Sequence, residues 1–556
     1  MQRTYTDDEV QDLTDRVFQL TEQIDAGKMQ FAPHLIDGVK QSLDGIRLRP
    51  DGRVDPHTVD GRIRAMTMAV RAMTFREETK KEVSILEIQE AYFNALFAQF
   101  GQLYDMAKKA NASPARAAEF FSHKKDIVQQ ITATLPECVQ MLRGFWESAL
   151  NAGNFHLQDG NQLKATFGGD LFPAHWENVV SGAGLYIDTI VLPCPIMRIA
   201  PLIGRYPDRK VAEFLIKHVF TAMSYREVAL VDINVPIVVI LPSSTDINQD
   251  DKDSLVERAA PVIRKHAAYL FGREFESTEH FLEFCSHLQS ADQVLHELKG
   301  GDRLLFDAEW GNRPEDQLAK VIAAGMPSMP GADVRHAGAH VATLCVGRMP
   351  QALGLQLNAT ERYGSPLVTA ETSWRYYTWL LEYQSKTADH MPEREGMHIA
   401  RALMTERTTN LEWLGNVPVS TVIDIRRNGL ADEVREILGA GVSDLVKINP
   451  HNYFRTADKV VDNLNKAFEE HSRKLKEAKA KKLKLFGLEL PKCLVSGVIG
   501  IAGAYTGNMP LAVAGAAMSA VGGFPNLKDI STGWKDIAEQ SQIYRSSPTG
   551  ILFRHL

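Results

Sequence analysis

The sequence predicts a mostly α-helical protein with a small central α/β domain and a C-terminal helical region that ends in an apolar, Gly- and Ala-rich helical hairpin. Three observations indicate this fold class. Residues 1–150 carry helical apolar periodicity, residues 155–390 contain two β-branched runs separated by a helical pattern, and residues 411–556 return to helical patterns. A chain of 556 residues exceeds one ordinary core, so we expect three domains with these bounds.

The first predicted element is an amphipathic helix that begins at a capping box. Thr6 and Glu9 have the spacing at which each side chain bonds to the other residue's backbone N–H. One narrow apolar stripe follows: Val10, Leu13, Val17, Leu20 and Ile24. Such a stripe needs a partner helix, either in the same chain or in a second copy, so a homo-oligomer is one expectation. Two more helices, at 59–80 and 83–110, and others up to about residue 150 are expected in the all-helical N-terminal domain.

The central domain is predicted from the order strand, helix, strand. Segments 184–193 and 227–242 are rich in β-branched residues, and residues 207–225 between them have helical periodicity. This is the order of a βαβ unit, which joins two parallel strands. A third strand is predicted at 303–310 (RLLFDAEW), and the aromatic run at 372–383 is predicted to be a buried helix.

The C-terminal region begins with two short predicted helices that are separated at Asn428 and Gly429. A basic amphipathic helix is predicted over 456–486, with an apolar seam at heptad spacing that suits packing on another helix. An apolar hairpin over 493–523 follows. These patterns predict a helical domain in the last part of the chain.

Composition limits the function classes. The net charge of −7 offers no overall attraction to a phosphate backbone, so nucleic acid is not indicated as a partner. The five cysteines are far apart and form no CxxC motif, which is typical of a reducing compartment. The N-terminus is acidic where a signal peptide would be basic, so we expect a cytoplasmic protein.

Four acidic residues on predicted strands are the candidate catalytic residues: Asp188, Asp232, Asp307 and Glu309. Asp307 and Glu309 are two positions apart, so on a strand both side chains would point to one face and hold Mg²⁺. The alternative is that these acids lie at strand ends and pair with arginines. No P-loop, GxGxxG, GxSxG, HExxH or EF-hand pattern occurs, so whether the protein is an enzyme stays open.

Two further patterns are candidate ligand sites. His336 and His340 are four residues apart, the spacing of zinc ligands on one helix face, although two histidines make an incomplete site. Residues 243–245 (Ser-Ser-Thr) follow a predicted strand and precede a helix, where backbone amides can hold an anion. The alternative for both patterns is ordinary helix capping.

Residues 493–527 contain no Asp, Glu, Lys or Arg. A turn at 506–510 divides this stretch into two arms of about 14 residues, shorter than the ~20 residues of a membrane-spanning helix. Small residues allow the arms to pack closely: Gly497, Gly500, Gly503, Gly507 and Gly515. The hairpin therefore suits either a buried core or insertion at a membrane surface.

A basic run precedes the hairpin and favours the membrane interpretation. Between 473 and 484 there are seven basic residues and a single acid, Glu477. The predicted contacts to anionic lipid are Arg473, Lys474, Lys476, Lys479, Lys481, Lys482 and Lys484. Such a run near an anionic leaflet contributes about 1 kcal/mol per basic residue.

These observations lead to three functional hypotheses. The first is a cytoplasmic protein that is peripheral to, or inserted at, the inner face of the membrane through its hairpin, as a prokaryotic toxin or antiviral defence effector would be. The second is a soluble interaction or scaffold protein whose hairpin is core. The third is a nuclease or phosphodiesterase that uses the central carboxylates, and only this hypothesis implies a cofactor, Mg²⁺.

Overall fold

The computed structural model describes most of the N-terminal three quarters of the chain. Its described residues are 4–29, 31–160, 162–175, 178–325, 335–384 and 419–441, with isolated positions between 459 and 473. As predicted, the protein is mostly α-helical and has a small four-stranded parallel sheet. The predicted hairpin at 493–523 lies outside the described residues.

The chain divides into two compact units. The first comprises Met1–Tyr92 and Phe145–Gly160, and the second comprises Phe93–Gly144 and Asn161–Leu556. The three-domain division drawn from sequence patterns stays a prediction.

The described helices up to residue 159 account for the predicted all-helical N-terminal region. They are α1 (Asp7–Asp25), α2 (Pro33–Asp44), α3 (Gly61–Glu82), α4 (Ile85–Lys109), α5 (Pro114–Ser122) and α6 (Lys125–Asp159). The capping box of α1 is confirmed, because Thr6 and Glu9 each accept a hydrogen bond from the other's backbone N–H. Sequence periodicity and capping therefore locate this region correctly.

The apolar stripe of α1 packs within its own chain. Leu13, Val17 and Leu20 are buried in a core cluster that includes Ile63 and Val70 of α3. Of the two partners that the stripe allowed, the one observed is therefore an intramolecular helix.

The second unit contains the sheet. Its strands are β1 (Lys164–Phe167), β2 (Thr189–Leu192), β3 (Val238–Ile240) and β4 (Ser365–Leu367). All pairings are parallel, in the order β3-β2-β1-β4. The predicted βαβ unit is confirmed by β2, the helix at Asp208–Ser224, and β3. The sheet also contains β1 and β4, which the sequence patterns did not predict.

Thirteen described helices accompany or follow the sheet. They are α7 (Val179–Ala183), α8 (Pro195–Ile199), α9 (Asp208–Ser224), α10 (Arg226–Ala229), α11 (Ser244–Ile247), α12 (Gln249–Phe271), α13 (Thr278–Ser286), α14 (Ala291–Glu297), α15 (Pro314–Ala323), α16 (Ala337–Glu361), α17 (Glu371–Gln384), α18 (Val419–Arg427) and α19 (Ala431–Gly439). The aromatic run is confirmed as a buried helix, α17, in a core with α12 and α16. The predicted break at Asn428 and Gly429 is also confirmed, since it separates α18 from α19.

The predicted strand at 303–310 is wrong. The chain there forms two short 3₁₀ turns, Gly301–Arg303 and Ala308–Trp310. Buried Gln317 accepts hydrogen bonds from the backbone N–H groups of Phe306 and Asp307, at 2.7 and 3.0 Å. A side chain thus satisfies the polar backbone that a sheet would otherwise satisfy.

Candidate functional site

The strand order reverses between β1 and β4, and in open parallel sheets ligands commonly bind beyond the carboxyl ends of the strands at such a point. Gly169, two residues after β1, has φ +85°, and a Cβ there would lie 2.6 Å from the Cβ of Ser373. The Ser373 hydroxyl donates to the carbonyl of Gly169. The switch point is therefore filled by a side chain of α17.

Two arginines occupy the same carboxyl edge of the sheet. Arg198 donates to the Asp170 carbonyl, and its Nε lies 3.6 Å from an Asp246 carboxylate oxygen. Arg362 is buried and donates to the Pro242 carbonyl at 2.7 Å. Burial lowers the pKa of Arg362 to about 10. These arginines bond to carbonyls and a carboxylate of their own unit.

The Ser-Ser-Thr turn after β3 serves as a helix cap. Ser243 and Asp246 form a capping box around α11, with the Ser243 N–H donating to the Asp246 carboxylate at 3.1 Å. The hydroxyls of Ser243 and Thr245 lie 2.8 Å apart. The capping alternative, rather than an anion site, describes these contacts.

Asp188 lies at the opposite, amino edge of the sheet, directly before β2. Its carboxylate accepts from the Leu163 N–H at 2.8 Å and from Arg426 Nη1 at 2.6 Å, and it also pairs with Arg435. Arg426 belongs to α18 and Arg435 to α19. The predicted strand position of Asp188 is therefore corrected to a strand end with arginine partners, which is the alternative that the sequence allowed.

The two arginines also bind carbonyls that precede Asp188. Arg426 donates to the carbonyls of Gly184, at 2.9 Å, and Ile187. Arg435 donates to the carbonyl of Tyr186, with its Nε 2.9 Å from that oxygen. One segment, residues 184–188, thus provides three carbonyls and one carboxylate to two guanidinium groups. We call this arrangement of residues 184–188, Arg426 and Arg435 the clasp.

The charged groups of the clasp are largely removed from water. The exposed fractions of the side chains are 8% for Arg426, 14% for Asp188 and 18% for Arg435. Burial lowers the pKa of Arg426 to about 10, while the Asp188 charge opposes this shift. The Nε of Arg426 is buried and has no hydrogen-bond partner among the described residues. Arg435 has a second partner, Asp432, whose side chain is 91% exposed.

The other candidate carboxylates lie elsewhere, and none lies on a strand. Asp232 is exposed in the loop before β3. Asp307 caps the 3₁₀ turn by accepting from the Glu309 N–H at 2.9 Å, and Glu309 is exposed. The expectation that Asp307 and Glu309 share one face of a strand is therefore wrong, because the local helical turn replaces the alternating pleat.

The two candidate histidines have different environments. His336 is the N-cap of α16: its Nδ1 accepts from the Ala339 N–H at 3.0 Å, and its Nε2 lies 3.0 Å from the Ser286 carbonyl. His340 is buried inside α16. Within the described part of the chain, no group of three or more His, Cys, Asp or Glu side chains is arranged to hold a metal ion.

The described residues of the second unit line at least two shallow clefts, and neither of these two contains a residue predicted as a site. One, of about 300 Å³, lies between α6 and the start of α9, where Gln129, Thr132 and Asp208 line it. The other, of about 370 Å³, is lined by residues around α14.

Of the predicted lipid-contact residues, the structure describes Arg473, which is exposed. The remaining six lysines and all five hairpin glycines lie outside the described residues. Of the helices that the structure does describe, none combines the length and apolar character needed to cross a bilayer.

Comparison with known proteins found no matching family model, curated protein or solved structure.

Sequence reasoning missed both arginines of the clasp. They stand among ordinary charged residues of two short amphipathic helices, so helical periodicity alone does not distinguish them from solvated side chains. The available signal was Asp188 itself, an acid beside an apolar strand that needs a buried partner.

Proposed function

We propose that the protein is a cytoplasmic effector that reaches a membrane through its C-terminal region, in the manner of a prokaryotic toxin or antiviral defence protein. One observation carries the proposal: a basic run at 473–484 with net charge +6 precedes a 35-residue stretch, 493–527, without any Asp, Glu, Lys or Arg. The basic run supplies attraction to anionic lipid, and the uncharged stretch supplies apolar area for burial in the membrane surface.

The lengths of the two arms define how the hairpin would act. Each arm of about 14 residues falls short of the ~20 residues that cross a bilayer core as one helix. The hairpin would therefore enter one leaflet, or assemble with other copies, and perturb the bilayer without a single continuous span.

The clasp supports a regulated version of this function. Helices α18 and α19 directly precede the C-terminal segment in sequence, and two arginines join them to the amino edge of the sheet. A protein that keeps a membrane-active segment in the resting state needs such a contact between that segment's neighbours and its globular part.

A second candidate function, a soluble interaction or scaffold protein, is favoured by one surface. Helix α3 has three large apolar side chains that are exposed: Met68 (63%) and Phe75 (52%), which are seven residues apart on one side of the helix, and Met73 (60%) on another side. Exposed apolar patches on soluble proteins often mark interaction sites.

The decisive experiment compares the full chain with a version that ends at Pro491. Cells expressing each protein would be fractionated, and the membranes washed with high salt and then with carbonate. We expect the full chain in the carbonate-resistant fraction after activation, and the truncated chain in the supernatant. A full chain in which the basic residues of 473–484 are changed to glutamine is the matched control, because it retains the hairpin.

Dye-loaded vesicles with and without phosphatidylserine provide the second measurement. The full chain should release dye from the anionic vesicles, and the glutamine control should release much less. If both full-length proteins stay soluble, the vesicles stay sealed, and the truncated protein aggregates, the hairpin is core and the scaffold function replaces this proposal.

A further inference from the structure

We propose that the clasp is the release point of the C-terminal region: separating Arg426 and Arg435 from residues 184–188 frees α18 and α19 from the amino edge of the sheet. The role of this release in membrane action rests on the proposed function. The release itself is a property of the described contacts and is tested independently below.

The contact is concentrated on a few polar groups. The two guanidinium groups make five hydrogen bonds to residues 184–188: two to the Asp188 carboxylate and three to backbone carbonyls. Asp188 is the only acidic residue in that segment. The planar, multiply donating guanidinium suits this set of acceptors, whereas a lysine ammonium is a single point charge.

Buried apolar side chains of both α18 and α19 accompany the clasp. Val422 and Ile425 of α18 are buried, and a Cβ added at Gly184 would lie 3.2 Å from the Val422 side chain. The same Cβ would lie 2.2 Å from the Val180 carbonyl oxygen, so Gly184 leaves room for the end of α7 as well as for α18. The guanidinium of Arg426 and the side chain of Val422 both meet segment 184–188, and α18 also packs against α7. We expect loss of the polar contacts to weaken the docking of α18 as a whole.

The balance of energies in a buried ion pair suits a switch. Desolvation offsets much of the attraction between buried charges, so the intact pair contributes little net stability, while removal of one partner is strongly destabilising because a buried charge remains uncompensated. The buried Nε of Arg426, which has no hydrogen-bond partner among the residues that the structure describes, adds to the cost of the closed state. The closed state is therefore sensitive to a single change at Asp188.

In the open state, in which α18 and α19 are released from the sheet, the two arginines still have hydrogen-bond partners. Arg435 donates to Asp432 at 2.7 Å, and Asp432 lies three residues away on the same helix and is 91% exposed. When the clasp opens, Arg435 keeps this partner and Arg426 gains water. Opening thus exchanges buried contacts for solvated ones without leaving a charge stranded in the core.

The test uses the full chain with Asp188→Asn, which removes the charge and retains the shape of the side chain. Hydrogen exchange followed by mass spectrometry should show at least about tenfold faster exchange over 419–441, with β2 and β3 amides unchanged. Trypsin should also cut sooner after Arg426 and Arg435. The matched control is Asp432→Asn, which removes an exposed carboxylate from the same cluster and should leave exchange over 419–441 within about twofold of the wild type.

A second variant separates loss of the clasp from loss of the fold. Arg435→Lys keeps a positive charge near Asp188 but loses the bond to the Tyr186 carbonyl, so exchange over 419–441 should lie between those of the wild type and Asp188→Asn. If Asp188→Asn fails to fold, this milder variant decides the question. Exchange over 419–441 that equals the wild type in a folded variant of either kind overturns the proposal.

The same samples distinguish this proposal from the proposed function. Asp188→Asn protein would be added to phosphatidylserine vesicles and compared with the wild type. Faster exchange together with increased dye release supports both proposals. Faster exchange with sealed vesicles leaves the clasp as a release point and removes the membrane function.

Discussion

The two edges of the β-sheet are closed in different ways. The carboxyl edge is closed by residues near β4 in sequence: Ser373 of α17 lies against Gly169, and Arg362 donates to the Pro242 carbonyl. The amino edge is closed by arginines that lie 238 and 247 residues after Asp188 in the chain. The same four strands thus present one edge at which Gly169 and Ser373 fit closely and another at which two distant arginines hold Asp188.

We connect the carboxyl edge with the stability of the fold and the amino edge with the release of α18 and α19. The carboxyl edge depends on a glycine with no room for a side chain, so it has one well-packed arrangement. The amino edge depends on buried charges whose net contribution is small and whose loss is local. We therefore expect changes at the carboxyl edge to unfold the second unit and changes at the amino edge to undock α18 and α19.

The largest expected effect is at Gly169. Gly169→Ala should lower the free energy of unfolding by about 2–4 kcal/mol, because the new Cβ meets Ser373 and the left-handed φ strains the backbone. Denaturant unfolding measures this, and Gly204→Ala is the control, since Gly204 also has a positive φ, +74°, but open space around it. The double variant with Ser373→Gly should recover part of the loss. Equal effects at 169 and 204 would mean that steric fit does not hold this edge.

The next largest effect is expected at Arg426, at the amino edge of the sheet. Arg426→Lys should weaken the docking of α18 by about 2 kcal/mol, because one ammonium cannot reach a carboxylate and two carbonyls together. Native-state hydrogen exchange of the α18 amides measures this loss. Arg427→Lys, at the exposed neighbouring position, should have no effect. A comparable loss of protection in β4 would show that the two edges are not independent.

Acid should lower the stability of the second unit through His218, which lies near the loop after β1. Burial lowers the pKa of His218 to about 3, and its ring lies 6.5 Å from that of Phe172 in the loop after β1. Because the unfolded chain takes up the proton near pH 6.5, the stability is complete above that pH and is lost, by about 1.4 kcal/mol per pH unit, as the pH falls toward 3. His266 is fully buried and also has a pKa lowered to about 3, so it adds a similar loss of stability.

Thermal unfolding between pH 7 and 4 tests this prediction. His218→Leu should reduce the loss of thermal stability between pH 7 and 4. The loss that remains is assigned to His266, whose ring stacks on Trp379 and bonds to the Tyr383 hydroxyl. An unchanged slope in His218→Leu would contradict the assignment.

The smallest effect separates hydrogen bonding from steric fit at the carboxyl edge. Ser373→Ala keeps the Cβ that faces Gly169 and removes only the hydroxyl, so it should cost about 1 kcal/mol. Thr378→Ala is the control on the same helix, because its hydroxyl bonds to the Arg375 carbonyl within α17. Calorimetry of both variants measures the difference. A loss at Ser373 as large as that at Gly169 would show that the hydrogen bond, rather than the fit, closes the edge.

Local signals predicted much of this fold. The capping box at Thr6 and the apolar runs that became β2 and β3 are short-range patterns, and they led to the correct elements. By contrast, β1 is four residues long and begins with a lysine, and β4 is three residues long and contains Pro366, so neither has the length or composition that indicates a strand. The segment 303–310 is the opposite case. Its apolar composition predicted a strand, but the chain forms turns there that hydrogen bonds to the Gln317 side chain stabilise.

The candidate site was predictable only in part, because its partners are distant in sequence. The need of Asp188 for a partner followed from the cost of a buried charge. The identity of that partner did not, because Arg426 looks like any basic residue on a helix surface until the chain brings it across 238 positions. The predicted metal site at Asp307 and Glu309 required a strand at 303–310, and the chain forms turns there instead.

The long reach of the clasp has a consequence for synthesis. A ribosome that adds about 5–20 residues per second needs roughly 12–50 s to travel from Asp188 to Arg426. The sheet receives its last strand earlier, when β4 emerges and pairs with β1. The nascent α/β unit can therefore fold around its own sheet before the arginines leave the exit tunnel, and during that interval Asp188 is open to water or to a chaperone. Translation itself thus sets the order in which the carboxyl edge closes first and the amino edge last.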